Sequence, residues 1–374
     1  MTLTRTPSDL QVTRWLSKFY AEYVRSNRFA PYMGRTENSI IQMQEELTTK
    51  KGIQVVFSLV NALSGQGVIG SETLEGAEEE LASDGYAVPV KYIRNAVAVD
   101  DEENDKGLID YLNAGRMMLK KWLMERTRDH IITAMMSING KAYLSAQAVK
   151  NPVYTTVASE ANKDAWLADN SDRVLFGAAK SNNSSNDHSA SLANLDNTND
   201  KLSASILSLA KRIAKTATPA IGPTTVMDGN AEEWFVMFCN ANSFRDIKTD
   251  STITQANREA RPRNVSKNPI FSDGDLVYDG VIIREVPEID NLGDVGAGSI
   301  QVGVNFLCGI QAVGFAIATR PTPITDTRDY GFVKGVGIKE RRGIAKLVFK
   351  DPADSSKEKD HGIVTVYTAS VDDV

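Results

Sequence analysis

Two strand-like runs flank a segment that neither can absorb. Ile53 to Asn61 (IQVVFSLVN) is rich in β-branched and aromatic residues, and Tyr86 to Val99 (YAVPVKYIRNAVAV) alternates apolar with polar or small residues, so each reads as a strand. Between them lies GQGVIGSETLEGAEEELASDG, with Gly65, Gly67, Gly70, Gly76 and Gly85 and the acids Glu72, Glu75, Glu78, Glu79, Glu80 and Asp84. A connection of about 25 residues is far longer than the usual two to five of a hairpin, and loops of that length are commonly functional or docked on something. Nothing else in the chain offers itself as its cover.

The run Asp100, Asp101, Glu102, Glu103, Asp105 is followed by a helical pattern from about Leu108 to Met136, ended by Asn139 and Gly140. The acids lack the alternating spacing and central glycine of a calcium loop, and ahead of a helix they meet its positive dipole end. At 1.5 Å per residue the helix is about 40 Å long, a spine rather than a packing element of a small domain. N-terminal to these elements, Asp9 to Tyr23 reads as a helix and Pro31 and Gly34 break the chain, so the first 45 residues read as an arm. Residues 181–200 hold five Ser and six Asn and read as an exposed loop. LSASILSLAKRIAKTA then reads as an amphipathic helix ending at Pro219. From Thr224 onward come short strands, a short helix around Phe244 to Ile247, an Asp279-Gly280 turn, and two or three antiparallel strands at the end, which is α+β texture.

Charge and composition narrow the function. Among 374 residues, 42 Lys plus Arg stand against 48 Asp plus Glu, a net charge of -6, so a dedicated nucleic-acid binder is disfavoured while a container with a mildly acidic wall is permitted. No apolar run is long enough for a membrane helix, and MTLTRTPSDLQVTRWL has neither the apolar stretch nor the cleavage site of a secretory signal. Cys239 and Cys308 sit in apolar runs and read as buried thiols in a reducing compartment.

No constellation for chemistry emerges. His130, His188 and His361 fall in the long helix, the Ser/Asn segment and the last hairpin, with no metal-ligand spacing around them. There is no phosphate-binding loop, dinucleotide fingerprint or nucleophile elbow, and the acid pair Asp273 and Asp275 reads as a surface turn. The strongest basic run is Lys339, Arg341 and Arg342 with Lys334 and Lys346. It reads as a solvated strand face ahead of a nucleic-acid or acidic-partner contact. No catalytic residue, cofactor or metal is expected.

The order of arm, long hairpin with an acidic glycine-rich tip, spine helix and mixed α+β region resembles the major capsid protein of tailed bacteriophages, the Hong Kong 97-type fold. The blocks NSIIQMQEEL, KKGIQVVFSLVNALSGQGVIGSETLEGAEEEL, DRVLFGAAK, NPIFSDGDLVYDGVIIREV, DYGFVKGVGIKERRGIAKLVF and DHGIVTVYTA carry that resemblance over nearly the whole chain. It implies an N-terminal arm at 1–45, an E-loop at 46–100, a P domain with the spine helix at 101–215, an A domain at 216–320 and a C-terminal return to the P domain at 321–374. It further implies a non-enzymatic virion protein, made in the host cytoplasm, that self-assembles into hexamers and pentamers of an icosahedral shell around double-stranded DNA. A separate scaffolding protein, a portal and a decoration protein are its implied partners. The covalent Lys-to-Asn crosslink of the type member has no counterpart lysine between Gly65 and Gly85. On charge alone, Glu72, Glu75, Glu78, Glu79 and Glu80 of the tip are expected to meet Lys120, Lys121, Lys339, Arg341 or Arg342 of a neighbour. The alternatives are an encapsulin-like nanocompartment shell with the same fold, or a carbohydrate-binding or hydrolytic protein.

Overall fold

A computed structural model describes residues 27–45, 47, 52–63, 65, 67–70, 73–76, 78, 79, 81–106, 110–228, 230–259 and 276–373. The expected helix Asp9 to Tyr23, the acids Glu72 and Glu80, and the Asp273/Asp275 turn lie outside them. The described chain divides into two compact units, a smaller one of Tyr92–Thr127 with Thr319–Arg341, and a larger one of Arg28–Lys91, Arg128–Ala318 and Arg342–Val374.

A seven-stranded mixed sheet organises the larger unit. Its strands run in the order Val174–Phe176, Ile363–Ala369, Val302–Cys308, Asn230–Cys239, Val281–Glu285 and Leu276–Tyr278, with Thr224–Asp228 also paired to Asn230–Cys239. Every residue of Val302–Cys308 and Ile363–Ala369 is buried, because both faces of the sheet are covered. Alternation sends Val304, Phe306 and Tyr367 into one core with Ile131 and Trp166. The intervening Leu307, Val364 and Val366 enter a second core with Ile206, Ile213, Phe244 and Ile247. Helix Ala204–Thr216 supplies Ile206 and Ile213 to that second core, and it ends ahead of Pro219 as expected. Asp279 and Gly280 take φ +49° and +68° in the turn that joins Leu276–Tyr278 to Val281–Glu285, as the Asp-Gly pair predicts. Both cysteines are buried.

The smaller unit holds residues 319–328, 333–341 and 92–100 of strands Val313–Arg328, Val333–Lys346 and Lys91–Asp100, which are neighbours in that order. Residues Tyr111–Thr127 of the long helix lay Leu119 on Val336 and Ile338, with Val97, Leu112, Trp122 and Leu123 around them. The helix spans Tyr111–Met135, and Asp110 caps it by accepting the N–H groups of Leu112 and Asn113 at 3.1 Å. The other acids fold differently from expectation. They form a helix of their own, Asp101–Lys106, in which Lys106 meets Glu102 and Glu103 at 2.8 and 2.9 Å.

Two further expectations are corrected. Residues 181–200 are not an exposed loop: Asp187 caps a helix, His188–Ala193, and His188, Ser191, Leu192, Leu195 and Asp200 are buried. Their polar groups satisfy one another. The Asp200 carboxylate accepts the N–H groups of Ala178 and Asp196 at 2.8 and 2.9 Å, so a polar composition packs at no cost in unpaired groups. Gly177 must be glycine there, since its φ is +59° and a Cβ would lie 2.1 Å from Asp200 Oδ1. The run Tyr86 to Val99 is two strands, Ser83–Pro89 and Lys91–Asp100, because Pro89 has no N–H with which to continue a ladder.

Candidate assembly interface

Strands Gln54–Val60 and Ser83–Pro89 form an antiparallel ribbon paired with no third strand among the described residues. Such a ribbon is marginal alone. One face is anchored: Val55, Phe57 and Val88 are buried, and the Phe57 ring approaches so near Gly314 that a Cβ there would meet it at 3.0 Å. The base is held as tightly, since a Cβ on Gly343 would fall 2.1 Å from the Pro89 carbonyl oxygen.

The opposite face is smooth and bare. Val56 pairs with Ala87, Ser58 with Gly85 and Val60 with Ser83, and Val60 is 57% exposed. Beyond the ribbon, Leu63, Ile69, Leu74 and Leu81 are exposed as well, Ile69 to 82%. Reading the tip for charge overlooked these side chains, although an apolar residue every five to seven positions in an acidic loop was visible in the sequence. Burying them is worth roughly 1.5 to 3 kcal/mol each, far more than an exposed ion pair.

The acids of the tip shape its backbone. Glu79 Oε2 accepts the Gly65 N–H and Glu78 Oε2 the Gly76 N–H, both at 2.7 Å, while Asp84 Oδ2 accepts the Lys350 N–H at 2.8 Å. Glu75 is exposed.

The basic candidates separate by burial. Lys120 and Lys339 are exposed, and Lys121 is half-buried on the long helix. The half-buried Arg341 places its guanidinium 5.6 Å from the centre of the Tyr92 ring. Arg342 is not part of a surface patch. It is 1% exposed and donates from Nη2 to His130 Nδ1 at 3.4 Å, while His130 Nε2 donates to the Lys150 carbonyl at 2.7 Å. Lys346 is also interior, 2.6 Å from Asp360 Oδ2, which the Trp166 indole reaches at 3.1 Å. Strand alternation sends Lys339 and Arg341 outward and Arg342 and Lys346 inward, where partners compensate their desolvation. Elsewhere in the smaller unit, Tyr330 is fully exposed at φ +50°, and Arg94, Ala96, Ile324, Asp326, Gly335 and Gly337 line a groove of about 580 Å³.

His130 and His188 are buried and His361 is partly buried. Burial, with Lys163 beside it, pushes His188 down to about 4, and burial, with Arg173 beside it, pushes His361 down to about 4. Burial drives the Cys308 thiol well above its usual range, so it is no nucleophile at neutral pH.

The family model described as "Phage capsid protein" matches residues 4–372. The chain belongs to the phage capsid protein family. It is 25% identical to the major capsid protein of Pseudomonas phage KPP25 over 96% of this chain and 95% of that one. The capsid asymmetric unit of cyanophage Pam1 superposes with a TM-score of 0.86 at 35% identity, covering 100% of both chains. The capsid of Ralstonia phage GP4 shares the fold at a TM-score of 0.75 and 21% identity, over 100% and 99% of the two chains. The fold is thus the Hong Kong 97-type α+β capsid fold, and this member of the phage capsid family is a structural protein of the virion that associates with copies of itself. Neither the nanocompartment nor the carbohydrate reading is favoured.

Proposed function

We propose that this capsid protein assembles into the hexamers and pentamers of an icosahedral shell, with the ribbon tip at 65–85 docked on an adjacent subunit. A neighbouring copy covers Val56, Val60, Leu63, Ile69, Leu74 and Leu81 in a heterologous, head-to-tail contact that closes into a ring. The observation that carries this reading is a ribbon apolar on both faces whose own chain covers only one. Glu72, Glu75, Glu78, Glu79 and Glu80 give the contact its polar rim against Lys120, Lys121, Lys339 or Arg341 of the neighbour. The segments 1–45, 46–100, 101–215, 216–320 and 321–374 serve as N-terminal arm, E-loop, P domain, A domain and return to the P domain.

The shell encloses double-stranded DNA of a tailed phage without gripping it, in keeping with the net charge of -6. The subunit is made in the host cytoplasm, has no enzymatic activity, and works with a separate scaffolding protein, a portal and a decoration protein. Deleting residues 66–84 tests the assembly role: electron micrographs should show shells from the intact chain and only soluble, folded subunits from the variant. Normal shells from the deletion would refute it.

A further inference from the structure

Strand Lys91–Asp100 closes one side of a five-stranded sheet, and its single neighbour among the described residues is Val333–Lys346. A Cβ on Gly337 of that neighbour would lie 3.2 Å from the Asn95 carbonyl oxygen, and one on Gly335 would lie 3.8 Å from that of Val97. The Asp101 N–H donates to the Phe332 carbonyl at 3.0 Å. Odd-numbered residues therefore hold the ladder. Backbone groups alternate in direction along a strand, so those of Arg94, Ala96, Ala98 and Asp100 point to the open edge. Tyr92 is 62% exposed, and Arg94, Ala96 and Ala98 are exposed beside the groove of about 580 Å³. In the single subunit Asn95 Oδ1 stands in for a partner strand by accepting the Ala96 N–H at 2.9 Å.

The other long edge of this sheet is guarded. Strand Val313–Arg328 meets Ile41–Gln44 only through Val313–Ala316, and its exposed continuation carries Pro321 and Pro323, which two apart remove N–H groups from one edge. Lys91–Asp100 has neither proline nor glycine over its 10 residues. An unguarded edge of that length is a template for another strand.

Its charges select which strand. Arg94 stands near the start and Asp100 at the end, and Asp100 Oδ1 accepts the Glu103 N–H at 2.7 Å, so Oδ2 is the oxygen that faces a partner. A second copy running antiparallel about a two-fold axis at Val97 sets Arg94 opposite Asp100 at both ends and Ala96 opposite Ala98 between them. Each of these pairs exchanges both backbone hydrogen bonds, and opposite charges face each other across the strands. Axes at Asn95 or Ala96 would oppose Arg94 to an alanine. On the other face the half-buried Val97 meets its own copy.

We propose that strand Lys91–Asp100 pairs with the same strand of a second copy, an isologous contact that joins one ring of subunits to the next. Head-to-tail contacts close a ring, and a shell also needs contacts between rings. The strand pairing is separate from the docked tip; only its place between rings rests on the ring proposed above.

The test co-expresses full-length chains carrying Ala96→Cys and Ala98→Cys. Opposed residues of this kind stand about 5.5 Å apart at Cα, within disulfide reach. After mild oxidation, mass spectrometry of linked peptides should find position 96 of one copy joined to position 98 of another, at least ten-fold above any link in either variant alone. Arg94→Asp, which sets like charges face to face, should cut that link at least ten-fold. Ala96→Pro removes an N–H that the ladder does not use, so it should keep the circular dichroism spectrum and melting temperature yet stop assembly at rings, whereas deleting residues 66–84 leaves single subunits. Absence of the 96-to-98 link, an equal yield from one variant alone, a link unmoved by Arg94→Asp, or shells of normal yield from Ala96→Pro would each overturn the proposal.

Discussion

The seven-stranded sheet and the Gln54–Val60/Ser83–Pro89 ribbon use the same residue types to opposite ends. In the sheet, Val304, Phe306 and Leu307 alternate between two cores and none is exposed. In the ribbon, Val55 and Phe57 are buried while Val56 and Val60 on the other face stay half-exposed. Alternating apolar residues on both faces therefore mean different things according to what the chain places above and below them. The sheet is finished by its own helices, whereas the outer face of the ribbon is left exposed.

Substitution on the two sides of that contrast should separate folding from assembly. Phe306→Ala opens a cavity between fully buried strands and is expected to cost about 3 to 5 kcal/mol, read from a denaturant midpoint or as insoluble product. A loss below 1 kcal/mol would mean that the sheet core is looser than its burial indicates.

Acid should act on the core before the ribbon. His188 and His361 stay neutral in the fold down to about pH 4, whereas in the unfolded chain each takes a proton near 6.5. Stability is therefore full above about pH 6.5 and falls as pH drops from there toward 4, by at most about 3 kcal/mol per histidine. Asp172 acts in a lower window. Burial works against its charge, but Arg173, Lys359 and the Thr218 N–H hold it at about 2, so its contribution is present above about 4 and is lost toward 2. Denaturation at pH 7 and pH 5 should thus give a lower midpoint at pH 5, with a smaller gap in His361→Gln. Equal midpoints for the parent would remove the histidines from the account.

Ile69→Asp with Leu74→Asp should change folding stability by no more than about 0.5 kcal/mol, since both side chains are exposed, yet abolish shells in electron micrographs. Shells of normal yield would show that the tip's apolar side chains carry no contact. The smallest effect is expected from reversing Glu78, Glu79 and Glu80 to Lys, at about 0 to 1 kcal/mol for each exposed pair. Assembly yield should fall and depend on salt, and Glu78 and Glu79 should also release the Gly65 and Gly76 N–H groups. A yield indifferent to salt would leave the contact apolar.

Much of the fold was legible in local pattern. The periodicity from Tyr111, the stop at Asn139-Gly140 with φ +43° and +73°, the Asp279-Gly280 turn and the helix before Pro219 all depend on backbone chemistry within a few residues. The ribbon and the length of its tip were equally visible, because strand propensity and glycine spacing are written in order along the chain. Burial of charge was not. Arg342 and Lys346 stand in the same basic run as the outward Lys339, and their partners His130 and Asp360 are distant in sequence or sit across a turn.

By itself, the sequence determined the long helix, the helix before Pro219 and the ribbon strands, that the ribbon carries a tip longer than its own chain covers, and, through the order of its blocks, its family. Only the tertiary structure decided which charges go inside and that a serine- and asparagine-rich stretch packs as a capped helix around buried His188 and Asp200. The physical reason is that propensity acts over one or two turns of chain, whereas the cost of burying a charge or a polar group depends on partners that only folding brings within hydrogen-bond reach.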